Sequence, residues 1–121
     1  MNKQAEEIAN ALQVNSVRIM KACNEIGKNP TIGFIANQVS RSATSAGANY
    51  EEACGAQSRA DFIHKLHIVY KELRETRYWL SLIHSAELGE QSEIQSIINS
   101  TDELLRIIGK SLITSKKNGR G

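Results

Sequence analysis

Little in this chain would interrupt a helix or cross-link a loop. Its 121 residues include one proline, two cysteines and only 5% aromatic residues. A single proline excludes a Pro-rich linker and leaves room for long helices. Cys23 and Cys54 stand far apart with no short metal-type spacing between them, which excludes a disulfide framework and a thiolate metal knot; both read as reduced, core-facing thiols. No apolar run approaches the roughly 20 residues that a membrane span needs. The N-terminal stretch lacks the basic-then-apolar form of a signal peptide, so a cytoplasmic location is expected. Neither sign of charge dominates: 15 Lys and Arg against 13 Asp and Glu give a net charge of +2. That balance permits a nucleic-acid partner without requiring one.

What the chain does contain is helical periodicity. Hydrophobic residues at 40% and charged residues at 23% are ordinary for a globular domain, and a chain of this length can bury roughly two-thirds of its unfolded surface in one core. A first helix is predicted from about Lys3 to Ile26, with Ile8, Leu12, Asn15, Ile19, Cys23 and Ile26 on one face and Ala11, Val14 and Met20 widening it. Gly27, suited to a left-handed helix end, and Pro30 mark the stop. A second helix covers about Ile32 to Ala53, burying Ile35, Val39, Ser42, Ala46, Asn49 or Tyr50, and Ala53. Its small residues from Ser42 to Ala48 suggest a tightly approached centre. Gly47 costs about 1 kcal/mol against alanine there, which a close contact would offset.

Ser58 followed by Asp61 forms a capping-box variant opening a third helix. Phe62, Leu66, Val69, Leu73, Thr76, Leu80 and Ile83 then make one seam, and the helix ends near Glu87 to Gly89. A fourth helix spans about Gln91 to Ile113, with Ile94, Ile97, Ile98, Thr101, Leu104, Leu105, Ile108 and Leu112 on its apolar face and Ser92, Ser96 and Ser100 on part of the opposite one. The fold class is therefore all-α, an up-down-up-down antiparallel four-helix bundle. One domain covers residues 1–115, followed by a flexible basic tail at 116–121.

Three constellations could carry chemistry. Asp61 and His64 form one Asp-x-x-His that Glu72 and Glu75 could supplement, but a dinuclear site in a bundle needs a second such motif, so no metal or other cofactor is expected. Arg41, Ser45, Asn49 and Glu52 line one side of the second helix, and Glu72, Glu75 and Trp79 flank the third. Arg41 calls for a carboxylate from the third helix, giving a polar network that fixes helix register or a subunit contact. Neither group contains a nucleophile–base pair, and the chain is expected not to be an enzyme. The third is the series His64, His67, Lys71, Arg74 and Tyr78, with Lys65 and Arg77 nearby. Basic side chains interleaved with an aromatic suit a phosphate backbone with an occasional stacked base. Spacing alone also allows a solvated helix face tied by Lys71–Glu75 and Arg74–Tyr78 neighbours. Ile63, Ile68, Trp79 and Leu82 do not all fit one bundle core, and such a surplus apolar edge points to a homo-oligomer.

The segments RSATSAGANYEEACGAQSRADF (41–62) and HIVYKELRETRYWL (67–80) closely resemble the four-helix-bundle family of 23S ribosomal RNA intervening-sequence proteins. The matching positions are Arg41, Ser42, Ser45, Asn49, Glu52, Phe62, Lys71, Glu72, Leu73, Glu75, Tyr78, Trp79 and Leu80. They cover about a third of the chain, and the helical layout matches nearly all of it. Many members carry proline where Gly47 stands. The resemblance implies a bundle that assembles as a ring-like homopentamer. It also implies nucleic-acid contact, since a related accessory protein of diversity-generating retroelements binds nucleic acid and touches a reverse transcriptase. Two readings follow. One is RNA or DNA binding through Lys65, His67, Lys71, Arg74 and Arg77. The other is a scaffold for a nucleic-acid-processing protein partner, with little nucleic-acid contact of its own.

Overall fold

A computed structural model describes residues 1–119. Five helices follow one another: α1 (Lys3–Ala22), α2 (Asn24–Gly27), α3 (Gly33–Cys54), α4 (Arg59–Ser85) and α5 (Gln91–Gly119). The four long ones form a closed antiparallel bundle in which α1 packs on α3 and α5, and α4 packs on α3 and α5. The all-α bundle expected from the periodicity is the fold observed. Among the described residues, no helix is long and apolar enough to cross a membrane.

Local chemistry sets the helix ends. Asn2 accepts from the Ala5 amide at 2.8 Å and starts α1, and Ser58 accepts from the Asp61 amide at 3.1 Å and starts α4, each satisfying an otherwise orphaned donor. Asn29 accepts from the amides of Thr31 and Ile32 and turns the chain into α3. The Glu90 carboxylate accepts from the amides of Ser92 and Glu93 at the start of α5. The hydrogen bonds from Ser92 and Glu93 hold its pKa below the usual carboxylate value. Helix α4 ends in a Schellman arrangement: the Glu87 amide donates to His84 and the Leu88 amide to Ile83, both at 3.0 Å. This places Glu87 at φ 57°, ahead of Gly89 at φ 72°.

Several expectations need correction. The first predicted helix is not continuous to Ile26. It breaks at Cys23 (φ −95°, ψ 2°), and the short α2 re-aims Ile26 into the core. Gly27 ends α2 without a left-handed conformation. Ala11, Val14 and Met20 do not widen the buried stripe: all three are exposed, as is Val17. Helix α1 touches only two long neighbours, so its buried arc is narrower than the apolar arc of its sequence. Helix α5 continues past Ile113 to Gly119, through Lys116 and Lys117, where a flexible tail was expected; Arg120 and Gly121 lie outside the described residues. No close contact compensates for Gly47, because a Cβ there would meet only the Leu12 Cβ at 3.9 Å.

The core divides into two apolar clusters separated by a polar layer. One cluster gathers around Ile19, Val39, Leu80, Ile83, Ile94 and Ile97, the other around Leu12, Tyr50, Leu66, Val69, Leu73 and Ile108. Between them lie Asn15 and Thr101, joined at 3.1 Å, and Ser42 and Thr76, with hydroxyls 2.8 Å apart. The threonine hydroxyls also donate to carbonyls one turn earlier, Thr101 to Ile97 and Thr76 to Glu72. The first pair braces α1 to α5 and the second α3 to α4, so each hydroxyl leaves water without losing its hydrogen bonds.

Candidate nucleic-acid interface

Helix α4 is the one long helix whose outward face is predominantly basic and aromatic. Its seam, Leu66, Val69, Leu73, Thr76, Leu80 and Ile83, is buried, which sends residues about half a turn away into solvent. His64, His67, Lys71, Arg74 and Tyr78 are all exposed there. They form a continuous line at steps of three and four. The Lys71–Glu75 neighbours do not close into an ion pair, although, after the Trp79 and Arg41 hydrogen bonds, the charge of Lys71 helps to lower the Glu75 pKa. Among the described residues His67, Lys71 and Arg74 form no ion pair.

The other two basic candidates lie off that line. Lys65 turns toward α3, where its Nζ meets Glu52 Oε1 at 2.8 Å, and this hydrogen bond raises the lysine pKa. Arg77 turns toward α5, where its Nε donates to Asp102 Oδ1 at 3.0 Å. Of the five residues proposed from the sequence, three are free on the outer face and two belong to cross-helix ion pairs. Asp102 was not identified from the sequence. Locating it as a partner requires the register of α5 against α4, which no local pattern carries.

The polar network resolves into separate parts. Arg41 bridges Glu72, at 3.2 Å, and Glu75, while Trp79 Nε1 donates to Glu75 Oε2 at 3.1 Å. The Trp79 and Arg41 hydrogen bonds hold the Glu75 carboxyl below its usual pKa, and the bond to Glu75 foremost raises that of Arg41. Glu72 is buried beneath this cluster. Ser45 and Asn49 do not join it: the Asn49 amide donates to the Ser45 carbonyl and hydroxyl within α3. Glu52 sits farther along, paired with Lys65. The Arg41–carboxylate contact was legible from the sequence, and the division of the stripe was not.

Glu72 and Glu75 are thus committed to Arg41 and do not converge on Asp61 and His64. Among the described residues, no three His, Cys, Asp or Glu side chains gather as a metal site would need. Cys23 is buried and Cys54 half-buried, both free; burial pushes the Cys23 thiol up to about 11.

Two surface features complete the picture. Between α4 and α5 a groove of about 320 Å³ is lined by Tyr70, Arg74, Arg77, Tyr78, Asp102 and Leu105. On the α3 flank, Phe34 packs edge-on against Trp79 with ring centroids 6.5 Å apart, and remains 56% exposed. The surplus apolar edge expected from Ile63, Ile68, Trp79 and Leu82 is largely absorbed within the chain, since all four are half-buried. The large apolar groups that do face solvent among the described residues are Met1, Phe34, Tyr78, Ile113 and, on α1, Val14, Val17 and Met20. The serines of α5 lie off its apolar face, as expected, and two of them have a partner on α1. Ser96 and Ser100 accept from Arg18, whose Nε reaches Glu93 at 3.0 Å, so they brace α5 to α1.

The family model for 23S rRNA-intervening sequence proteins matches residues 4–110. Among solved structures, a protein of unknown function from the S23 ribosomal protein family of Bacteroides thetaiotaomicron superposes with a TM-score of 0.81. It is 34% identical in sequence, and the match covers 89% of this chain and 96% of that one. No curated protein matches the chain.

Proposed function

The chain belongs to the 23S rRNA-intervening sequence protein family, and from that premise we propose that it is a non-enzymatic, homo-oligomeric bundle that binds structured RNA or DNA through the outer face of α4. The observation that carries this reading is the exposed line His67, Lys71 and Arg74, basic side chains that form no ion pair among the described residues, beside the exposed Tyr78. Phosphates would replace the counterions of this line, while Lys65 and Arg77 contribute more weakly because Glu52 and Asp102 already hold them.

The oligomer is a ring, pentameric as the family resemblance implies. Supporting it are two separate apolar patches, Val14, Val17 and Met20 on α1 and Phe34 at the α3 flank of Trp79. Two different patches on different flanks suit head-to-tail pairing, which closes into a ring when the rotation between copies divides a full turn. Repetition then multiplies a short basic line into a strong field.

The test is fluorescence anisotropy of the size-verified oligomer with labelled 23S rRNA fragments, single strands and duplexes. Reversing charge at Lys71 and Arg74 should weaken binding at least tenfold and flatten its salt dependence. Unchanged affinity in an intact oligomer removes α4 from the interface. A protein-partner scaffold is the competing reading, and the exposed Phe34 beside Trp79 favours it. Capture of a partner that survives high salt and nuclease would select that reading.

A further inference from the structure

The groove between α4 and α5 shares Arg74 and Tyr78 with the basic line and adds an apolar floor and an acidic group to them. Its floor is apolar: Leu105 lines it, and the Tyr70 ring lies against α5 so closely that a Cβ on Gly109 would meet it at 3.4 Å. Its mouth carries Tyr78, 58% exposed and packed roughly perpendicular to Trp79 at a centroid distance of 5.1 Å. One wall holds the Arg77–Asp102 pair, in which Arg77 Nε occupies Asp102 Oδ1. The hydrogen bonds found there leave the second carboxylate oxygen and the terminal guanidinium nitrogens uncommitted.

Against the wall, Asp102 would repel a phosphate at close range, so a phosphate belongs beside Arg74 and a different group beside the Arg77–Asp102 pair. A neutral, flat group with donors and acceptors on its rim fits better. It can stack on a tyrosine face, cover Leu105 and meet an acceptor and a donor on the wall. The phosphates attached to such a group would meet Arg74, which lines the groove and is exposed, and the neighbouring exposed Lys71. That combination is one nucleotide of a single strand.

We propose that the α4/α5 groove is a subsite for an unpaired nucleobase, stacked on Tyr78 with its edge read by Arg77 and Asp102. The inference rests on the nucleic-acid reading above and narrows it to single-stranded segments, since bases within a duplex cannot leave the stack at no cost. Asp102 accepts hydrogen bonds, so bases with an exocyclic amino group (cytosine, adenine and guanine) bind better than uracil.

The experiment uses the intact full-length oligomer with labelled oligo(C), oligo(U) and an A·U duplex, read by anisotropy. Quenching of Trp79, the chain's one tryptophan, gives a second readout. Oligo(C) should bind more tightly than oligo(U) and the duplex, and quench Trp79. Tyr78→Ala should weaken oligo(C) binding about tenfold and duplex binding by clearly less, while Tyr78→Phe retains wild-type affinity. Asp102→Asn should abolish the preference for C over U. If Tyr78→Ala binds oligo(C) like the wild type while charge reversal at Lys71 and Arg74 abolishes binding, the subsite is wrong and the phosphate interface stands. If neither strand nor duplex binds at low salt, both readings fall.

Discussion

At the residue scale, two backbone positions carry an avoidable cost. Gly47 lies inside α3 with helical geometry and open space around its missing side chain, apart from ordinary contact with Leu12. Gly47→Ala should therefore stabilise the fold by about 0.5–1 kcal/mol, through backbone entropy with no clash to oppose it. Glu87 presents the reverse case. It occupies the left-handed position of the α4 terminus, where a β-carbon is strained and glycine is the usual residue. Glu87→Gly should stabilise by a similar amount. Denaturant unfolding midpoints, at unchanged m-value, check both. The sequence identified glycine at 47 as a cost but supplied the wrong compensation, because small neighbours on one helix do not reveal what faces them. It also placed the end of the third helix near Glu87 to Gly89 without showing that the left-handed position falls on the glutamate.

At the scale of the elements, helix faces were legible and pairings between helices were not. Ile8, Leu12, Asn15, Ile19, Cys23 and Ile26 share a face by periodicity alone, and all six are buried. The polar members of these faces make sense only across the bundle, where Asn15 meets Thr101 and Ser42 meets Thr76. Sliding one helix past another would place these hydroxyls against apolar layers, so the polar layer fixes register at some cost in stability. In a double-mutant cycle, Ser42→Ala and Thr76→Val should each cost about 1 kcal/mol. The double variant should cost less than their sum, because no unpaired partner remains. Strict additivity would show that the two hydroxyls are independent.

The α3–α4 contact also carries a pH signature. Glu75 titrates below its usual value of 4.5 because Trp79 and Arg41 bind its ionised form. Its contribution is complete above the unfolded value and is lost as pH falls through the depressed one. The wild type should accordingly lead Glu75→Gln in melting temperature at pH 7. That lead should shrink between the unfolded carboxyl value and the lower folded one. A constant difference down to the acid limit would assign the effect of the substitution to packing.

For the whole molecule, the account joins a modest net charge to an uneven distribution of it. Fifteen basic residues stand against thirteen acidic ones. The ion pairs of Arg18, Lys28, Arg41, Lys65 and Arg77 neutralise much of that charge locally. What stays unpaired on the outer face of α4 is short, and in a single copy its field would be weak. The sequence already held this line, because a buried seam at known period fixes which residues face away. It could not separate Lys65 and Arg77 from the line, since their partners Glu52 and Asp102 lie on other helices. The functional reading requires copies of the chain to present the same face to one ligand.

The most direct measurement is the salt dependence of affinity for a single-stranded RNA, made on oligomer whose mass has been established in the same buffer. The account predicts that log K falls linearly with log salt. Its slope should correspond to more phosphates than one copy's His67, Lys71 and Arg74 can neutralise, and reversing charge at Lys71 and Arg74 should reduce it. A monomeric protein, or an oligomer whose binding is absent at low salt or indifferent to salt, would contradict it.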